Sequence, residues 1–223
     1  MNRYENFISR IENVHRKGEQ GVFFISGPSA SGKDGLWKFI KEMKFIKKYN
    51  LHRPVSSTTR LPRIGERCGK DYFYVYPEDI IKSDGSYSEN AINPIKFGSE
   101  KGRDIWYCYT KDQIDKPLSE GKSLVFLVLG SALEFYKNYF AEKFPNVTLI
   151  STVWTISPEA QKEKFFKREP NKTKEQLELI YQSRLPEREM YDKMIDEGKF
   201  DFIDNADIRL KDWKDEQIKN RKK

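Results

Sequence analysis

A continuous apolar run, Val22-Phe23-Phe24-Ile25-Ser26, leads straight into Gly27-Pro28-Ser29-Ala30-Ser31-Gly32-Lys33. Beyond that loop, Leu36, Phe39, Ile40, Met43 and Ile46 recur at helical spacing. A run that is apolar at successive positions suits a strand buried on both faces of a parallel sheet. Strand, glycine-bounded loop and helix, in that order, open an α/β unit with right-handed crossovers. Similar runs at Ser123–Leu129 and Val147–Ile156 are followed by helical patterns over Ala132–Phe144 and Pro158–Lys167. Lys199–Ile203 reads as a last short strand before a charged helix over Asp207–Lys219. Ahead of the first strand, Phe7, Ile8, Ile11 and Val14 predict a short amphipathic helix.

Residues 51–110 break this rhythm. They are rich in Arg, Tyr, Ser, Gly and Pro, with short alternating segments such as Tyr72-Phe73-Tyr74-Val75-Tyr76, and predict small antiparallel strands beside the sheet. Residues 168–186 are strongly charged and poor in apolar side chains, as suits a mobile flap. The expected organisation is therefore a helical extension at 1–20, a core from 21–50, 111–167 and 187–223, an insertion at 51–110 and a lid at 168–186.

Composition narrows the partners. No stretch approaches the ~20 apolar residues that a membrane helix needs, and Met1–Arg10 lacks the apolar centre of a signal peptide. A cytoplasmic protein with no membrane partner is expected. Two cysteines, Cys68 and Cys108, and two histidines, His15 and His52, exclude a disulfide framework and a zinc site. The net charge of +7 is interspersed along the chain, apart from the basic end at 219–223. We read the excess as serving phosphorylated small molecules, with nucleic acid the less favoured partner.

The loop itself satisfies G-x-x-x-x-G-K. Successive backbone N–H groups and the helix N-terminus would point inward at phosphates. Lys33 adds a mobile charge that follows the β/γ-phosphates. Gly27, Ser29, Ala30, Ser31, Gly32, Lys33 and Asp34 are thus the residues expected around ATP. Asp34 stands where a hydroxyl would normally ligate Mg²⁺. A carboxylate can hold the ion directly or through water, which makes Asp34 the candidate metal residue; the alternative is that it marks lost activity. The expected fold is α/β, a P-loop NTPase three-layer fold with a parallel core sheet, an inserted monophosphate-binding subdomain and a mobile lid.

The insertion carries a more specific pattern. Val55-Ser56-Ser57-Thr58-Thr59-Arg60, Pro62-Arg63, Gly65-Glu66 and Gly69-Lys70-Asp71-Tyr72 resemble the monophosphate-binding segment of guanylate kinases, S-x-T-T-R-x-P-R-x-G-E-x-x-G-x-D-Y. The chemistry of the segment agrees, since the guanidinium forks of Arg60 and Arg63 suit a bidentate grip on phosphate. The resemblance extends from about Gly21 to Asp207. It implies that Ser56, Arg60, Arg63 and Tyr72 hold the acceptor's phosphate. Phe97-Gly98 and Trp106-Tyr107-Cys108 resemble the family's F-G-x-x-Y-Y-G, with an insertion and with Cys108 for Gly, which adds Tyr107 to the acceptor site. Glu89 matches the family's guanine-reading Glu. Arg168 and Arg184 match lid arginines that close over the phosphates, catalytic partners of Lys33; Lys164 and Arg188 are further cations of the flap. Phe202-Ile203-Asp204-Asn205 resembles the strand leading to an Asn near adenine, although a turn Asn is the alternative for Asn205.

Two departures follow. Where guanylate kinases have L-D-I-D, this chain reads Phe126-Leu127-Val128-Leu129, without either carboxylate. Guanine's donors would then lack acceptors, at about 1–3 kcal/mol for each buried one left unpaired, which implies a different base or none. The run Gly-Pro-Ser-x-Ser-Gly-Lys-Asp, with Leu129-Gly130-Ser131, is also similar to ribose 1,5-bisphosphate phosphokinases, whose acceptor is a sugar phosphate. The activity implied is ATP- and Mg²⁺-dependent phosphoryl transfer to a nucleoside or deoxynucleoside monophosphate. The alternatives are that sugar-phosphate kinase, or an inactive guanylate-kinase-like module that binds a phosphorylated partner.

Overall fold

The computed structural model describes residues 3–62, 65–100, 102–168 and 172–205, without the side chains of Asp34, Phe97, Glu100 and Arg168. Arg63 and the expected helix over Asp207–Lys219 lie outside the described residues. The order begins α1 (Arg3–Arg16), β1 (Gly21–Ser26), α2 (Lys33–Glu42), α3 (Phe45–Lys48), β2 (Leu51–His52), β3 (Ser57–Thr58) and β4 (Phe73–Tyr74). It continues β5 (Ala91–Glu100), β6 (Arg103–Thr110), α4 (Lys111–Ser119), β7 (Ser123–Leu127), α5 (Leu133–Lys143) and β8 (Thr148–Thr155). It ends α6 (Pro158–Arg168), α7 (Lys174–Gln182), α8 (Leu185–Asp196) and β9 (Phe202–Asn205). These elements form two compact units, one of residues up to Tyr49 with those from Val125 onward, the other of Asn50–Leu124.

In the first unit β1 pairs in parallel with β8, and β8 with β9. The later residues of β7 flank β1 on its other side, where the Val128 N–H donates to the Ile25 carbonyl at 3.0 Å. β1 is buried at every position. Neighbouring residues of a strand point to opposite faces, and Phe23 meets Phe7 of α1 while Phe24 meets Phe140 of α5. Helices therefore cover both faces, giving the three layers expected. Phe126 and Val128, which stand in the strand without carboxylates, are buried in this core. The Phe126 ring centroid lies 4.8 Å from that of Tyr136 and 5.7 Å from that of Phe24.

Three local expectations are corrected. The helix expected to run to Ile46 breaks after Glu42, because Lys44 takes a left-handed conformation at φ 59°. The last strand starts at Phe202 and not at Lys199: Gly198 ends α8 at φ 66°, and the Lys199 N–H still bonds the Met194 carbonyl. Within 168–186, α7 has an apolar face. Leu177 and Tyr181 are buried, and Tyr181 packs with Phe165 and Ala30, flanked by Phe166, Ile180 and Leu185. Among the described residues, no helix is long and apolar enough to cross a membrane.

The second unit is built on the β5/β6 hairpin, with Ile95 opposite Tyr107 and Lys96 opposite Trp106. Between Phe97-Gly98 and Trp106 the two strands continue, with Ser99 opposite Asp104 and Glu100 opposite Arg103. β6 pairs antiparallel with β3, Ser57 opposite Cys108. β4 is only two residues long and pairs with β3 in parallel, not antiparallel as the alternation suggested. The segment between β3 and β4 carries the chain back to the end from which β3 started, as a parallel neighbour requires. The unit also runs past residue 110. α4 follows β6 without a break, capped where the Thr110 N–H donates to Gln113 Oε1 at 3.1 Å, and buries Ile114 and Leu118.

Candidate functional site

Each unit carries a cluster of groups whose chemistry suits an anion. In the first, β1 ends into the loop at Gly27, at φ 142°, where a Cβ would stand 2.4 Å from the Trp154 carbonyl oxygen. Only glycine allows that approach. Gly32, at φ 89°, caps α2 in a left-handed conformation. Between them Ala30 is also left-handed, at φ 66°, which costs a residue with a Cβ roughly 1–2 kcal/mol. Its packing with Phe165 and Tyr181 holds it there.

Lys33 turns back over the loop. Its Nζ donates to the carbonyls of Gly27 and Pro28 at 2.5 and 3.0 Å, with Ser31 Oγ at 3.4 Å. The Ser29 N–H donates to a carboxylate, Glu187 Oε2 of α8, at 3.2 Å. An acidic oxygen thus sits on a loop amide, as a phosphate oxygen would. Gln161 of α6, almost fully buried, donates from Nε2 to the Ser29 carbonyl at 2.9 Å and accepts from Arg188 Nη1 at 3.3 Å. Arg188 also donates to the Ile156 carbonyl at 2.8 Å, so this cation is committed to the framework beneath the loop. Tyr191 Oη accepts the Gly130 N–H at 2.9 Å; burial pushes its phenol up to about 12.

The remaining donor-side candidates lie on other elements of the same unit. Asp34 lies in the first turn of α2 and Arg168 closes α6, their side chains outside the described set. Arg184 caps the start of α8. Asn205 ends β9 on the surface, opposite Thr155. Its neighbour Asp204 is the anchored residue: Arg10 of α1 donates to both its oxygens, at 2.7 and 2.9 Å, and Asn6 adds a third bond at 3.1 Å.

In the second unit the structure brings Arg60, Tyr72 and Tyr107 together. Arg60 is buried; its Nε donates to Tyr107 Oη at 3.2 Å and its Nη1 to the Leu61 carbonyl at 2.7 Å. Nη2 reaches both oxygens of Glu66, at 2.9 and 3.0 Å, and Tyr74 Oη donates to the same carboxylate at 2.8 Å. Burial works against the charge of Arg60, but Tyr107 and Glu66 outweigh it and hold its pKa above the usual value. Burial and the Glu66 carboxylate push the Tyr74 phenol up to about 12. The guanidinium lies 5.3 Å from the Tyr72 ring centroid, and that ring 5.7 Å from Tyr107's. Ser56 joins through the buried phenol of Tyr109, to which it is hydrogen-bonded. Glu89 is instead on an exposed turn, its carboxylate 91% accessible and paired with Lys82 at 3.6 Å.

Sequence reasoning assigned no role to Glu66, Tyr74, Tyr109, Gln161 or Glu187. The alternation Tyr72-x-Tyr74 and Tyr107-x-Tyr109 was a usable signal for the phenols, because alternate residues of a strand share a face. Nothing comparable marks Gln161 or Glu187, which look like ordinary helix-surface residues.

A family model described as guanylate kinase matches residues 19–207. The chain belongs to the guanylate kinase family. The matched span is close to the Gly21–Asp207 expected from the motifs. Guanylate kinase of Bacteroides fragilis is 30% identical over 138 residues, 62% of this chain and 63% of that protein. That of Wolinella succinogenes is 30% identical over 146 residues, 65% and 60% of the two chains. That of Aster yellows witches'-broom phytoplasma is 30% identical over 159 residues, 71% and 67%. The chain thus spans about three fifths of the length of the first two relatives. A crystal structure of guanylate kinase from Anaplasma phagocytophilum aligns with a TM-score of 0.49 and 18% identity, over 84% of this chain and 77% of that one.

As a member of this family the chain departs in two places. α1 precedes the matched segment, yet its Tyr4, Phe7, Ile8, Ile11 and Val14 are buried. The strand β7 and the residues after it lack the two carboxylates, and half-buried Leu127 and Leu129 stand in their places. The loop fits the phosphates of a nucleotide, since Lys33 folds back over it and one of its amides already carries a carboxylate. For Mg²⁺, no group of three or more His, Cys, Asp or Glu that could hold a metal ion stands among the described residues. Mg²⁺ at a nucleotide keeps several waters and takes phosphate oxygens with one or two carboxylates, and Asp34 in the first turn of α2 is the carboxylate expected for it.

Proposed function

We propose that this chain transfers the γ-phosphoryl group of ATP, bound with Mg²⁺, to the phosphate of a nucleoside or deoxynucleoside monophosphate. The observation that carries this reading is the phosphate loop, whose Gly27 and Gly32 conformations and returning Lys33 make sense around a polyphosphate. Family membership and the Arg60 cluster support the acceptor side. Phosphoryl transfer asks the protein for positioning and positive charge. Lys33 rests on neutral carbonyls, and a phosphate offers it stronger, charge-assisted bonds. Glu187 would leave the Ser29 amide as the nucleotide arrives. Arg60, with Arg63, Ser56, Tyr72 and Tyr107, would grip the acceptor's phosphate. Arg168 and Arg184 would neutralise charge in the transition state, Asp34 would help to hold Mg²⁺, and Asn205 would lie toward the adenine. The segment 168–186 would act as the lid that excludes water. The acceptor phosphate is itself the nucleophile, so no general base is required, and a cytoplasmic location would supply the ATP.

The test is an ADP-release assay with ATP and Mg²⁺ over a panel of acceptors: GMP, dGMP, the other ribo- and deoxyribonucleotides, and ribose 1,5-bisphosphate. Turnover on one nucleotide identifies the base that this chain reads without the carboxylate pair. Turnover on the sugar bisphosphate alone overturns the nucleotide reading. Silence across the panel, with ATP still bound, assigns the chain a binding role.

A further inference from the structure

Arg3 is only 4% exposed, and it comes from α1, ahead of the segment that the family shares. Its guanidinium carbon lies 4.6 Å from the Trp154 ring centroid and 4.8 Å from that of Tyr4. Nη1 donates to the Ser31 carbonyl at 3.1 Å and Nη2 to Tyr4 Oη at 3.0 Å, while Nε is buried without a hydrogen-bond partner. A Cβ on Gly32 would stand 3.0 Å from Nη2. Among the described residues, the partners of this buried cation are thus a carbonyl, a phenol and two rings, with no carboxylate. Burying a charge without a counter-ion is unfavourable unless something else compensates for it.

The peptide geometry shows what Arg3 does to the loop. A peptide unit is planar and trans, so the Ser31 carbonyl and the Gly32 N–H point in opposite directions. With the carbonyl held by Arg3, the Gly32 amide is turned to the other side of the loop. Gln161 does the same two residues earlier, since its bond to the Ser29 carbonyl turns the Ala30 N–H away from it. These are amides of the loop that Lys33 also folds over.

We propose that Arg3, brought by α1 against the Ser31 carbonyl and Gly32, is a positioning residue of the phosphate loop: it aims the Gly32 amide at the nucleotide's phosphates, which in turn compensate its buried charge. This rests on the reading of the loop as an ATP cradle. A residue that merely fastened α1 to the core would change stability and leave phosphate affinity alone.

The experiment is calorimetric titration of the full chain with ATP and, separately, with inorganic tripolyphosphate, alongside thermal unfolding without ligand. Arg3→Met keeps an unbranched apolar stem against Trp154 and removes the fork. Its affinity for both ligands is expected to fall about tenfold or more, as for the loss of a charge-assisted hydrogen bond. Arg3→Lys, with the charge but not the fork, is expected to lie between. Wild-type affinity for tripolyphosphate in Arg3→Met overturns the proposal, as does a lowered unfolding temperature with affinity unchanged. If Arg3→Met does not fold, Arg3→Lys decides, and equal affinity there overturns it as well. A wild-type chain that binds neither ATP nor tripolyphosphate would instead defeat the reading of the loop. A loss confined to the variants supports the role of Arg3.

Discussion

In the phosphate loop the groups aimed at an anion are backbone amides, held by Gly27, Gly32 and the packing on Ala30. Around Arg60 they are side chains, a guanidinium and several phenols, held by one another. Each cluster rests with a carboxylate of its own chain in place. Glu187 makes one bond of 3.2 Å to the Ser29 amide, whereas Glu66 takes two bonds from Arg60, at 2.9 and 3.0 Å, and a third from Tyr74. A site made of backbone keeps its amide donors when a side chain is changed, although their aim depends on neighbours such as Arg3. A site made of side chains is preorganised by its internal partners, and an incoming phosphate must compete with them.

The largest effect should come from the one mobile cation of the loop. Lys33→Ala is expected to lower turnover about a hundredfold or more, as for removal of a group that stabilises transition-state charge, with an unchanged circular dichroism spectrum. Near-normal turnover would remove the loop from the chemistry. Arg60→Ala should be next. It weakens monophosphate binding and also destabilises the second unit by about 1–3 kcal/mol, because the Glu66 carboxylate loses its buried partner. Chemical denaturation reads the second effect, and an unchanged midpoint would mean that the ion pair contributes nothing at rest.

The two resting carboxylates sharpen the contrast. Glu66→Gln should tighten monophosphate binding severalfold, and Glu187→Gln should tighten ATP binding by about twofold, in keeping with three bonds against one. Weaker monophosphate binding in Glu66→Gln would show that Glu66 aims Arg60 and does not compete with the ligand. The smallest effect concerns His52, half-buried in the second unit. Burial first, and then the Lys122 charge, lower its pKa from the usual 6.5. The unfolded chain therefore binds the proton more readily. The stability gained is complete above about pH 6.5 and is lost as the pH falls from there through the lowered folded value. Urea midpoints between pH 7.5 and 5.5 should decline for the wild type and decline less for His52→Gln.

How much was legible varies along the chain for physical reasons. β1 was readable because burial on both faces leaves an uninterrupted apolar run, and the loop because its two glycines meet needs within a few residues of themselves. The apolar face of α7 was obscured by the charges around Leu177, Ile180 and Tyr181. The parallel pairing of β4 was invisible, since alternation reports which face a residue occupies and not the direction of its neighbour. The missing carboxylates, at Leu127 and Leu129, could be read as a loss; that these two side chains stay half-buried while Phe126 and Val128 between them fill the core needed the structure.

The amino-acid sequence by itself determined the kind of loop, the positions that had to be glycine, the alternation of strands with helices and the family motif around Arg60. Those features follow from backbone sterics and from spacing along one segment. Only the tertiary structure decided which polar groups meet: Arg60 with Glu66, Glu187 with the Ser29 amide, Gln161 with the Ser29 carbonyl, Arg3 with the Ser31 carbonyl. A polar side chain on a helix has the same local signature whether it faces water or a loop 132 residues away, as Gln161 does. Its role depends on what the fold brings within hydrogen-bonding distance and on how much water burial removes.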